Sequence, residues 1–224
     1  MSDILFHLTN HSEWEALFVT VEEKLQRYPV MPITLKNNTE RWTYADYLSW
    51  PDELRWELID GVAYSMSPAP GSKHQRILGR LFRKFADHLD NKPCEPFIAP
   101  FDVRFAVQKN ASDNYIDTVV QPDILIVCDK SKLDERGCNG SPDFIIEISS
   151  PSTGKNDLTL KFDLYQRHGV KEYWIVHPEE QTVMVFKIDE YGMYGKPERY
   201  AGDDAVSVPL FGDLVVDLKA VFAE

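Results

Sequence analysis

Two runs, Val119–Val127 and Asp143–Ser149, are apolar at consecutive rather than alternate positions. That is the pattern of β-strands covered on both faces. A chain carrying two such strands must bury a sheet between two layers, and its other segments supply them. Ile77, Leu78, Leu81, Phe82, Phe85 and Leu89 form one stripe of a helix over residues 72–89, with Ser72 as its expected cap. Arg76, Arg80, Arg83 and Lys84 fall largely off that stripe, a dense positive face that solvation alone explains as well as a nucleic-acid contact. A second helix is expected after Asn156, as its cap, stopping at Gly169. Strands alternating with two principal helices predict an α/β (α+β) domain with a mixed central sheet flanked by helices.

Around this centre, Trp56–Ile59 and Val62–Met66 flank Asp60-Gly61, a strong hairpin signal. Thr43 is expected to cap a short helix through Leu48. Phe97–Val107 reads as one strand, Glu172–Val176 and Thr182–Ile188 as two more, and β-hairpins close the C-terminus. Trp14, Leu17, Phe18, Val21 and Leu25 predict an amphipathic helix over residues 11–28, ended by Pro29 and Pro32. The expected organisation is an N-terminal helical extension, 1–38, and one domain, 39–224.

Composition narrows the function. The 224 residues carry a net charge of −12, which argues against a general basic nucleic-acid binder but leaves room for a local basic cleft. Cys94, Cys128 and Cys138 form no CxxC pair and are odd in number, so reduced thiols in a cytoplasmic protein are expected. No run approaches the roughly 20 apolar residues of a membrane span. Residues 1–7 show no basic-then-apolar order, so no secretory signal and no membrane partner are expected.

Three charged residues violate the burial pattern. Asp123 and Glu147 each stand in a central strand where an aliphatic residue is expected, and a buried carboxylate is costly unless it is paired or binds a metal. Lys161 projects from the middle of the apolar arc formed by Leu158, Leu160, Phe162, Leu164 and Tyr165. An Asp157–Lys161 pair, worth about 0.2–0.5 kcal/mol, is too weak to bury that cation, so Lys161 is expected to meet Glu147 and Asp123. Two carboxylates suit Mg²⁺, a hard ion that keeps waters and bridges to phosphate, and a lysine beside them suits phosphodiester hydrolysis. Glu57 is a candidate further carboxylate at the edge of the site.

These residues also carry a family resemblance. Glu57-Leu58-Ile59-Asp60-Gly61, Met66-Ser67-Pro68, His74, Gln121-Pro122-Asp123 and Glu147-Ile148-Ser149-Ser150-Pro151-Ser152-Thr153 resemble the Uma-two family, grouped with restriction endonucleases. So do Lys161, Tyr165, Gly169-Val170 and Glu172-Tyr173-Trp174. The resemblance runs in order over roughly residues 42 to 190. It implies a restriction-endonuclease-like core of the PD-(D/E)XK superfamily and Mg²⁺-dependent cleavage of DNA, with Mn²⁺ able to substitute. It further implies that Asp123, Glu147 and the Ile148 carbonyl hold the metal. The superfamily pattern places lysine at position 149, where this chain has Ser149. In the Uma-two family the following helix commonly supplies it, matching Lys161, with Lys155 the weaker candidate. His74 resembles a recurring family position that would touch the scissile phosphate or Glu57, though a plain polar helix start explains it equally. Gln121 is expected to point into the site. Cutting both strands of a duplex takes two sites, so a homodimer is expected.

Other chemistries lack support. The serines of Ser149-Ser150-Pro151-Ser152 have no GxSxG elbow and no nearby histidine. No GxGxxG or GxxxxGK[ST] is present, so no nucleotide cofactor is expected. His7, His11, His88 and His168 lack zinc spacing, and His177 reads as a loop residue. The rival class is a catalytically weak or inactive nuclease-fold protein acting as an oligomeric binding or structural module, which the net charge favours.

Overall fold

A computed structural model describes residues 41–50, 55–66, 69–106, 111–150 and 154–223. The expected extension over 1–38 and its helix over 11–28 lie outside the described residues. Helix α1 (Tyr44–Tyr47) starts at Thr43, whose side chain accepts from the Asp46 amide while the Asp46 carboxylate accepts from the Thr43 amide. Strands β1 (Trp56–Ile59) and β2 (Val62–Ser65) pair antiparallel about Asp60 and Gly61, at φ 51° and 73°. Positive φ at both turn positions is what such a two-residue hairpin requires. Helix α2 (Ser72–Leu89) buries Ile77, Leu78, Leu81, Phe85 and Leu89, with Phe82 partly buried against them. Its cap is Gly71 rather than Ser72, which is already the first helical residue, and no side chain caps it.

Two expected strands are each broken in two. Phe97–Val107 becomes β3 (Glu95–Ile98) and β4 (Val103–Arg104), separated by a turn with a cis Ala99-Pro100 bond. Val119–Val127 becomes β5 (Val119–Val120) and β6 (Ile124–Val127). Pro122 has no N–H to give a ladder, so the chain leaves one sheet there and enters the other. The remaining strands are β7 (Leu133–Asp134), β8 (Gly137–Asn139) and β9 (Phe144–Ile148). Helix α3 (Gly154–Asn156), a π-helical turn (Asp157–Lys161) and α4 (Phe162–Arg167) follow β9. Then come β10 (Glu172–His177), β11 (Thr182–Lys187), β12 (Glu198–Tyr200), β13 (Ala205–Ser207), β14 (Val215–Asp217) and α5 (Leu218–Phe222).

One sheet has the order β2-β1-β5-β4-β8-β7 and the other β12-β11-β10-β9-β6-β3. In the second, β9 and β10 run parallel, joined by the helical crossover, while its other pairs are antiparallel. The expected C-terminal hairpins are β11–β12 and β13–β14. Helix α5, not anticipated, packs on α2, and Arg80 of α2 donates to the Val221 and Ala223 carbonyls at its end.

The double-sided strands find the two covers they need. Ile124, Ile126, Phe144, Ile146, Trp174 and Val176 face Leu81 and Phe85 of α2 and Val221 of α5. On the other face Leu125, Val127, Ile145, Tyr173 and Ile175 meet Leu164 and Tyr165 of α4, together with Val103 and Val120 of the first sheet. Among the described residues, no helix is long and apolar enough to cross a membrane.

The cysteines correct the expectation of three thiols: Cys94 and Cys128 form a disulfide with an S–S distance of 2.05 Å. The register explains it. Glu95 lies opposite Val127, so the next pair outward is Cys94 and Cys128, a relation that spacing in the sequence does not reveal. Cys138 is free and buried.

Thiol titration of the unfolded, unreduced protein should therefore find one reactive cysteine and, after reduction, three. Phe85 packs against Phe144, Trp174 and Phe211 with centroids 5.0–6.1 Å apart. Phe85→Ala should lower the unfolding free energy in urea by roughly 3–5 kcal/mol.

Candidate active site

Three features of the backbone bring the misplaced charges together. Pro122 ends β5, so Asp123 stands at the threshold of β6. Ile124 lies opposite Ile146, and one residue further that register sets Asp123 across from Glu147. Directly opposed residues of an antiparallel pair project to one face, with Cβ atoms about 4.5–5.5 Å apart. Asp123 Oδ2 accepts from the Ile148 amide at 2.8 Å, and His74 Nε2 lies 3.2 Å from the same oxygen.

The third feature is the π-helical turn. Extra residues in a turn shift every following side chain around the axis. Asp157 and Lys161 are both buried here, while Leu158 is 43% exposed. This corrects two expectations: the helix begins at Gly154 rather than being capped by Asn156, and Leu158 leaves the apolar arc in which α-helical spacing placed it.

The buried Lys161 ammonium lies 2.9 Å from Glu147 Oε1 and 2.9 Å from Glu57 Oε1. Of the two acids expected to meet it, Glu147 does, whereas Asp123 pairs with His74 and Glu57 takes its place; the Asp157 charge acts on the same ammonium. Glu57, buried on β1, also accepts from the Gln121 backbone N–H at 3.0 Å. Glu147 Oε1 takes a second bond, 2.7 Å, from the Tyr165 hydroxyl. Tyr165 had been noted for its apolar ring and among the family-like residues, with no role given to its hydroxyl, although it stands four positions after Lys161, the spacing that places two side chains on one helix face.

Desolvation dominates the electrostatics. It pushes the Glu147 carboxyl up to about 8, despite the lowering pull of Lys161, with Asp157, Asp123 and Glu57 adding to the rise. Burial pulls the Lys161 ammonium down, but Glu147 and Glu57 outweigh it and hold it above its ordinary range. Burial, then the Glu147 charge, keeps Tyr165 protonated as a donor. For His74 burial opposes the charge, yet the bond to Asp123 and that residue's charge raise it overall.

Asp123, Glu147, Lys161, Glu57, His74, Gln121 and Ile148 all line one cleft of about 370 Å³. Two of them sit differently from expectation. His74 meets Asp123 rather than Glu57. The Gln121 side chain is bound on both ends, accepting from Arg55 and donating to Asp102 and Tyr47. Arg55 also lines the cleft and had not been singled out; its signal was its place two residues before Glu57. Ser149 is buried, and a Cβ at Gly154 would lie 2.8 Å from its hydroxyl. The helix start thus passes close over position 149, and the cation enters from Lys161 instead. The side chain of Lys155 lies outside the described residues.

Among the described residues, no three His, Cys, Asp or Glu side chains converge as a metal cluster. A set of two carboxylates still fits Mg²⁺, which commonly binds through one or two carboxylates and completes its shell with water and phosphate.

Two outcomes follow. Lys161→Met removes the cation that both Glu147 and Glu57 contact and should cost roughly 3–5 kcal/mol in urea unfolding. A carboxyl raised on folding binds its proton more tightly in the native than in the unfolded chain. Its contribution is therefore present at low pH and is lost as pH rises toward about 8. Glu147→Gln should flatten the fall in stability between pH 5 and 8, measured by urea titration at each pH.

Comparisons with known proteins agree with this architecture. A family model described as "Uma2: Putative restriction endonuclease" matches residues 44–219. "Uncharacterized protein slr1290" of Synechocystis sp. is 29% identical over 151 residues, covering 66% of this chain and 74% of that protein. The crystal structure of "a putative nuclease belonging to DUF820" from Anabaena variabilis superposes with a TM-score of 0.65 at 24% identity, covering 81% of this chain and 97% of that one. At that identity the likeness speaks for the restriction-endonuclease-like fold. With most of its length matched by one family model, this chain belongs to the Uma2 family of restriction-endonuclease-like proteins.

Proposed function

We propose that the protein is a Mg²⁺-dependent endonuclease that hydrolyses DNA phosphodiester bonds at the cleft lined by Asp123, Glu147 and Lys161. The observation that carries this reading is the burial of Lys161 between Glu147 and Glu57, beside the strand register that opposes Asp123 to Glu147. A merely structural ion pair needs one acid per base, whereas this cleft holds Glu57, Asp123, Glu147 and Asp157 around one lysine.

Asp123, Glu147 and the Ile148 carbonyl are the groups that would hold the ion. When bound, Mg²⁺, or Mn²⁺ in its place, supplies Lewis-acid polarisation of a phosphate oxygen and acidifies a water. The chain's own groups do the rest. Tyr165 and Lys161 both donate to Glu147 Oε1, which fixes that carboxylate's rotamer. His74 and the Ile148 amide do the same for Asp123 Oδ2. Lys161 has three N–H donors; Glu147 and Glu57 engage two, and the third orients the attacking water or meets charge building on the phosphate. Glu57 is a positioning group, since its oxygen joins Lys161 to the Gln121 amide. His74, at the cleft wall, is a candidate phosphate contact. Two such sites would cut a duplex, so the working unit in this reading is a homodimer.

Supercoiled plasmid tests the reading. Wild-type protein should nick and linearise it with Mg²⁺ or Mn²⁺, and Asp123→Ala and Glu147→Ala should fall to background. Lys161→Ala should keep Mn²⁺ binding by calorimetry while losing about 10²–10³-fold in rate. Equal trace cleavage by wild type and both acid variants would instead mark the inactive binding module.

A further inference from the structure

We propose that Arg55 anchors the substrate, its guanidinium receiving a DNA backbone phosphate beside the acid cluster, and that Gln121 holds it in place. This rests on the nuclease reading and extends it to a residue which that reading leaves idle.

Arg55 is exposed at the wall of the cleft and donates from Nε and NH2 to Gln121 Oε1, at 3.2 and 2.7 Å. The orientation of the Gln121 amide is dictated from behind. Its Nε2 donates to Asp102 Oδ1 at 2.8 Å and to the Tyr47 hydroxyl at 3.3 Å, so its oxygen must face Arg55. The Asp102 carboxylate is itself held by the hydroxyls of Tyr44 at 3.2 Å and Tyr47 at 3.4 Å. A guanidinium is thus fixed by a neutral amide, which positions it without cancelling its charge.

The other cations of the cleft are spent. Lys161 is paired with Glu147 and Glu57, and His74 faces Asp123. Among the described residues lining the cleft, Arg55 is the cation with no carboxylate partner. In a chain of net charge −12, a polyanion approaching an acid-rich cleft needs an uncancelled positive group at that point. Of the five N–H donors of a guanidinium, Gln121 engages two, and the remaining fork matches phosphate oxygens bidentately. Gln121 joins the anchor to the acids: its side-chain oxygen accepts from Arg55, and its backbone N–H donates to Glu57, which pairs with the Lys161 that also meets Glu147.

The test is fluorescence anisotropy of short duplex DNA with Ca²⁺ replacing Mg²⁺, over a KCl series, beside plasmid cleavage with Mg²⁺. Arg55→Gln should bind about tenfold more weakly, and its slope of log affinity against log salt should fall by about one. Arg55→Lys should keep the slope and lose part of the affinity, because an ammonium lacks the fork. Both variants should unfold at the wild-type temperature, since the side chain is exposed. Arg55→Gln binding with wild-type affinity and slope, while the wild type cuts DNA, would overturn the anchor and leave the nuclease reading standing. A wild type that neither binds nor cuts DNA overturns both.

Discussion

One buried cation organises this molecule. The Lys161 ammonium sits between carboxylates from two different sheets, Glu147 on β9 and Glu57 on β1. Removing two carboxylates and an amine from water is expensive, and only mutual contact with further hydrogen bonds offsets it. Those further bonds come from the Tyr165 hydroxyl and the Gln121 backbone N–H. The interaction therefore ties the crossover helix, the first hairpin and the β5–β6 junction to the central strand. Desolvation leaves a mark: Glu147 stays well above the usual carboxylate range despite its partner.

The chain reaches this geometry by breaking local regularity in a few places. Pro122 interrupts a run of apolar residues that would otherwise stay in one sheet, and it delivers Asp123 to a strand end. The π-helical turn rotates Leu158 outward and carries both Asp157 and Lys161 inward. Irregularities of this kind recur at functional sites because a regular element presents its charges to solvent. Here Pro122 sets Asp123 at a strand end, and the π-helical turn buries Asp157 beside a Lys161 that periodicity already placed inward.

Much of the candidate site was legible because it contradicted its surroundings. Asp123 and Glu147 stood out against aliphatic neighbours, Lys161 against an apolar arc, and Glu57 came from the hairpin beside them. The supporting groups were not legible. Tyr165 reads as an ordinary core aromatic, and its hydroxyl gains meaning only beside Glu147. Arg55 and Gln121 are common polar residues until Asp102, Tyr44 and Tyr47 are seen to aim the Gln121 amide. The Cys94–Cys128 pairing follows from the β3–β6 register, a long-range fact with no local signature.

By itself, the order of residues determined that two strands would be covered on both faces, that α2 would bury one stripe, and that three charges would need partners. These are consequences of side-chain polarity and of the periods of strand and helix, which are local properties. Which charges meet was decided only by the tertiary structure. Strand register, the interruption at Pro122 and the π-helical turn set distances between residues far apart in sequence, and the energy of a buried charge depends on those distances.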